Sequence, residues 1–103
     1  MPTFEDALKT IEEKGAGIHK IHGDFYAFGE AWDTICVEEA CENIEDEDEF
    51  IDCAYDYAVD MTYNKIPQEL KEMGFEVIEI KHIEFDGDDV PYGWSVALLK
   101  KKG

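Results

Sequence analysis

Apolar positions along the chain change period several times, and the changes mark out the elements. Phe4, Ala7, Leu8 and Ile11 recur at helical spacing behind Thr3, a residue suited to capping, and glycines 15 and 17 end the run. Two short β-prone stretches follow, Ile18 to His22 and Phe25 to Phe28. Gly23-Asp24 between them suits a two-residue hairpin turn. Residues Trp32 to Asn43 predict a second helix with Trp32, Ile35, Cys36 and Ala40 on one face. Residues 46–64 predict the main helix: Phe50, Ala54, Tyr57, Ala58 and Met61 draw one apolar stripe, which Ile51, Tyr55 and Val59 widen. Pro67 can open a further short helix from Gln68 to Met73, closed by Gly74. Phe75 to Phe85 then predicts a strand, Asp86 to Gly93 a loop, and Trp94 to Leu99 a final strand. The assembled expectation is an α+β fold: a small antiparallel sheet of two hairpins with three to four helices packed on one face. Residues 1–103 are expected to form a single acidic domain, since the chain has no internal repeat and no linker.

Charge changes the picture most. The formal net charge is −17, from 26 acidic residues against nine lysines, and arginine is absent. Hydrophobic residues still make up 45% of the chain, enough for a packed core, so the acidity does not imply disorder. A chain this acidic repels nucleic acid and anionic membranes and attracts basic proteins or cations. No run of eighteen apolar residues occurs, and the start of the chain, Met1 to Asp6, lacks the basic and apolar regions of a signal peptide. The expected location is cytoplasmic. Cys36, Cys41 and Cys53, an odd number set in apolar patterns, are accordingly expected as reduced, buried thiols.

The charge is clustered. Thirteen of the acids lie between Glu30 and Asp60, where no lysine occurs; the rest of the chain holds 13 acids and 9 lysines, a net of −4. Brine adaptation would spread acid over the whole surface, so clustering favours a binding face. Within it, Asp48, Asp52, Asp56 and Asp60 repeat every four residues on the main helix, and Glu45 and Glu49 thicken the start of the row. Like charges at this spacing oppose each other by roughly 0.2–0.5 kcal/mol per pair. Aspartate is a poorer helix former than glutamate, so propensity does not explain the choice. A regular row of carboxylates on a rigid rod can imitate the phosphates of a nucleic-acid strand.

In size and charge layout the chain resembles the small acidic phage and plasmid proteins that block restriction or CRISPR effectors. That resemblance implies an inhibitor whose partner is a basic nucleic-acid-binding protein or complex, with no direct nucleic-acid contact, no membrane and no cofactor. The candidate partner-binding residues are Glu45, Asp48, Glu49, Asp52, Tyr55, Asp56 and Asp60, with Tyr55 and Tyr63 as aromatic neighbours of the row. Two alternatives use the same composition: an immunity or antitoxin protein for a basic nuclease toxin, and a small housekeeping or adaptor domain whose acidity serves only solubility.

Other chemistry is thinly represented. His19-x-x-His22 and the three cysteines do not make a zinc pattern. A calcium loop counted from Asp86 would need an acid at its twelfth position, which is Ala97. The lone serine, Ser95, sits in a strand pattern, and no hydrolase, phosphate-loop or zinc-protease motif occurs. An enzyme is not expected.

Overall fold

The run Val96-Ala97-Leu98-Leu99 is apolar on successive residues rather than alternate ones, as suits a strand covered on both faces. In the computed structural model, which describes residues 1–87 and 89–102, that is the centre of the fold. The elements in order are α1 (Phe4–Lys14), β1 (Gly17–His22), β2 (Phe25–Ala31), α2 (Thr34–Glu38), α3 (Glu47–Asp60), a π turn (Met61–Lys65), α4 (Ile66–Glu72), β3 (Phe75–Ile83) and β4 (Trp94–Lys101). The fold is mixed α and β, and its four strands form one antiparallel sheet in the order β1-β2-β4-β3. β2 and β4 occupy the centre, with Phe28 opposite Ala97. No helix among the described residues is long and apolar enough to cross a membrane.

Helices cover both faces of this sheet, which corrects the expectation of a single helical layer. Ala27, Val96 and Leu98 point to one side and pack with Ala7 and Ile11 of α1. Ala97 and Leu99 point to the other side and pack with Ala54, Ala58, Ile66 and Leu70 of the long helical run. The side chains alternate along β4, so consecutive apolar residues serve opposite layers. The α1 layer sits close: a Cβ placed on Gly29 of β2 would fall 2.5 Å from Ile11 Cγ2. Thr3 and Asp6 fix the start of α1 in a reciprocal capping box.

The second helix is much shorter than expected. Trp32 is not helical: its N–H donates to Gly93 O, and its own carbonyl accepts from Tyr92 N–H. The cap is Asp33, whose carboxylate accepts from the Cys36 N–H at 3.0 Å. This shifts the buried face to Val37 and Cys41, leaving Ile35 80% exposed and Cys36 and Ala40 on the surface.

The main helix, by contrast, runs on. Residues 47–72 are helical without a break, through the π turn. Proline at 67 has no N–H to give, and its ring would crowd the carbonyl four residues back in a regular α-helix. The widened turn just before it resolves that conflict: Ile66 N–H donates to Met61 O, five residues back. The π turn also carries Thr62, which is fully buried. The Trp32 indole N–H donates to Ser95 Oγ at 2.8 Å, Ser95 shares a hydrogen bond with Thr62 Oγ1, and Thr62 donates to Ala58 O at 2.7 Å. With the proton on Ser95 given to Thr62, every donor in this buried chain has an acceptor.

Ser95→Ala removes the central link and leaves the indole N–H without its partner. It is expected to cost about 1–3 kcal/mol of stability, read as a lower urea midpoint. Trp32→Phe in the Ser95→Ala background should recover part of that loss.

Candidate functional site

The acidic face is built on α3. Asp46 caps the helix, its Oδ1 accepting from Asp48 N–H at 2.9 Å and Glu49 N–H at 3.3 Å. Glu47, Asp48 and Glu49 fill the first turn, where the helix macrodipole favours negative charge. Ala54 and Ala58 on the opposite face are fully buried, so packing fixes the rotation of the helix and turns the aspartates outward. Asp48, Asp52, Asp56 and Asp60 are all exposed, each about 6 Å further along the axis than the last. Glu49 is exposed on the same helix, whereas Glu45 is exposed in the segment just before the cap and so lies outside the helical row.

Among the described residues no lysine or histidine forms an ion pair with these carboxylates. The ion pair among the described residues joins Lys81 to Glu79 at 3.4 Å, on β3. In the row itself, Asp60 accepts a hydrogen bond from the Asn64 amide at 2.7 Å. Of the thirteen acids between Glu30 and Asp60, only Glu30 and Asp33 are partly covered. Glu30 sits on β2, and burial, helped by the nearby Glu69 carboxylate, pushes its pKa up. The Asp33 carboxyl is held below its ordinary range by the Cys36 N–H it caps.

The aromatic neighbours differ. Tyr55 is half-buried, its hydroxyl donating to Glu84 and its ring meeting Tyr92 and His82 edge-on. The bond to Glu84 raises the Tyr55 pKa. Tyr55 thus braces α3 against the end of β3 while standing beside the aspartate row. Tyr63 is 49% exposed, and its hydroxyl accepts the His82 N–H at 3.1 Å.

The cysteines are not three buried thiols. Cys41 and Cys53 form a disulfide with Cα atoms 6.2 Å apart, and Cys36 is exposed. The pairing follows from the shortened α2: once Val37 and Cys41 turn inward, Cys41 meets the flank of α3 that carries Cys53. The closed loop holds Glu42, Glu45, Asp46, Glu47, Asp48, Glu49 and Asp52, seven acids in eleven residues. The bond therefore staples the segment in which self-repulsion is greatest. The helix face expected over residues 32–43 placed Cys36 inward and left Cys41 off it, so the pattern did not signal the pairing.

Elsewhere the chemistry is sparse. Ser95 Oγ is enclosed in the Trp32–Thr62 hydrogen-bond chain and is fully buried. His19 Nε2 lies 3.2 Å from Gly15 O. Among the described residues no three His, Cys, Asp or Glu side chains converge as a metal site. The loop reading at Asp86–Asp89 includes position 88, outside the described residues. The chain matches no protein-family model, no curated protein and no solved structure.

Two predictions follow from this geometry. Reducing the disulfide should cost about 3 kcal/mol, by the loop-closure estimate for a ring of this length, and thermal melting should fall by about 15 °C. A Cys41→Ser/Cys53→Ser variant should melt at the lower temperature with or without reductant. Glu30 has the opposite sign to a salt-bridged acid. Its folded pKa lies above its unfolded value, so the folded state binds the proton first, and stability falls as pH rises between the two values. Glu30→Gln should therefore be the more stable protein at neutral pH. The advantage should vanish on acidification below about 4, where both forms of the wild type are protonated.

Proposed function

We propose that the protein is an inhibitor that mimics a nucleic-acid backbone and occupies the basic groove of a nucleic-acid-binding protein, in the manner of anti-restriction and anti-CRISPR proteins. The observation that carries the reading is the row Asp48, Asp52, Asp56 and Asp60: exposed, evenly spaced on a packed helix, and without a lysine in ion-pair reach. A solvated face would gain from i, i+4 lysines, worth roughly 0.2–0.5 kcal/mol a pair. This face forgoes them along its whole length. Glu45 and Glu49 extend the charge toward the start of the helix, and Tyr55 borders it.

In this reading the protein acts by occupancy and not by catalysis, binds its target in the cytoplasm, and touches neither nucleic acid nor membrane itself. In a reducing cytosol Cys41 and Cys53 would stand as thiols unless protected, so the proposed location and the staple bear on one another. Association would be steered by charge, fast and strongly dependent on salt.

Asp52→Lys/Asp56→Lys tests the reading directly. Each change shifts the charge by +2, taking the formal total from −17 to −13. Binding to the target should weaken by about a hundredfold, while the melting temperature should hold or rise slightly as i, i+4 repulsion is relieved. The measurement is a pull-down with tagged protein from lysate of the natural host, at low and high salt. A nucleic-acid-binding protein held by the wild type, released by salt and not held by the variant is the expected result. Equal retention by the variant would remove the row from the site.

A further inference from the structure

A second row runs beside the aspartates. Ile51, Tyr55, Val59 and Tyr63 also repeat every four residues, and each stands three positions after an acid: Asp48 and Ile51, Asp52 and Tyr55, Asp56 and Val59, Asp60 and Tyr63. Side chains at i and i+3 are neighbours on a helix surface. The last member stands within the π turn, which continues the same helical run. Although Tyr55 is half-buried, Ile51 is 37%, Val59 39% and Tyr63 49% exposed. The face thus presents an acidic ridge and an apolar ridge side by side.

The two forms of nucleic acid differ in this respect. A duplex turns its phosphates outward and keeps its bases stacked in pairs, so a duplex-binding groove meets charge along the backbone and base edges only within the grooves. A single strand exposes a charged edge with flat, apolar bases beside it. The clefts that hold it combine a cationic track with aromatic side chains on which bases stack. Carboxylates alone would suffice to imitate a duplex, and exposing Ile51 and Val59 on so acidic a surface would then gain nothing. From the paired ridges, and resting on the backbone-mimic reading above, we infer that this face copies single-stranded nucleic acid. Its occupant is the cationic, aromatic-lined cleft of a single-strand-binding protein. Charge complementarity places the aspartates on the cationic track and the apolar ridge over the stacking platform.

Competition distinguishes this inference from the reading beneath it. Fluorescent oligothymidine is bound to an OB-fold single-strand-binding protein, and a fluorescent duplex to a sequence-tolerant duplex-binding protein. Each complex is titrated with this chain at one fixed salt concentration. The wild type is expected to displace the oligothymidine at a concentration about tenfold or more below that needed for the duplex, a step equivalent to one stacked base or more. Ile51→Ser/Val59→Ser should lose that preference and retain the weaker, charge-driven competition. Its fold is checked by its melting curve, and the near-isosteric Val59→Thr change replaces it if serine destabilises the helix. Asp52→Lys/Asp56→Lys should lose both activities. Equal or better displacement of the duplex by the wild type, or an unchanged preference in the apolar-row variant, overturns the single-strand inference and leaves the backbone-mimic reading in place. Displacement of neither probe by the wild type, or full activity in the double-lysine variant, overturns both.

Discussion

Val96, Ala97, Leu98 and Leu99 are buried between two helical layers, and the other elements take their positions from that strand. α1 closes one side through Ala7 and Ile11; the run from α3 to α4 closes the other through Ala54, Ala58, Ile66 and Leu70. A fully buried aliphatic side chain contributes about 1.5–3 kcal/mol, so no exposed polar contact competes with β4 in fixing the layout. The hydrogen-bond chain through Trp32, Ser95 and Thr62 then sets the register of the long helix on the sheet. Sliding the helix by one residue would break the Ser95–Thr62 link and leave the Ser95 hydroxyl proton without its acceptor. Because that register also fixes helix rotation, the direction in which the aspartates face is decided inside the core.

The outward face works against the fold that presents it. Six acids crowd the segment from Glu42 to Glu49, and no lysine interrupts the charge until Lys65. Three devices hold the segment in place: the Asp46 cap, the favourable field at the helix start, and the Cys41–Cys53 bond. The first two act locally and fade within a turn. The covalent link acts on the chain as a whole by restricting the unfolded state, which suits a region whose folded contacts are few and whose charges repel.

Much of this was legible in the residues. The first helix follows from Thr3 and a regular 3-4 spacing, the β1–β2 turn from Gly23-Asp24, and the main helix from the Phe50–Met61 stripe, because each depends on near neighbours in sequence. The exposed aspartate row was legible for the same reason: its register is that of one helix. Features set by contact between distant segments were not. The pairing of β2 with β4 determines the strand order and is invisible in either strand alone. The consecutive apolar residues of β4 fit burial on both faces, but the expectation set all helices on one face, since nothing in the strand itself tells which helix covers which side. Two residues misplaced the second helix: Trp32 has the size to anchor a helix face but is held extended by Gly93 and Tyr92, and Ile35 is apolar yet exposed. That error hid the inward turn of Cys41, and with it the disulfide.

A face that carries so many carboxylates with no internal cations cannot stand bare in solution. Sodium, potassium or polyamine cations must gather over Glu42 to Asp60 as a loose, mobile sheath, much as they do along a nucleic-acid strand. When basic side chains of another molecule take their place, the sheath disperses into the bulk. The gain is one of entropy, proportional to the number of ions set free and diminishing as their bulk concentration rises. On this account the aspartate row would work as a reservoir of displaceable ions, so that attachment draws much of its driving force from the solvent and little from any single contact.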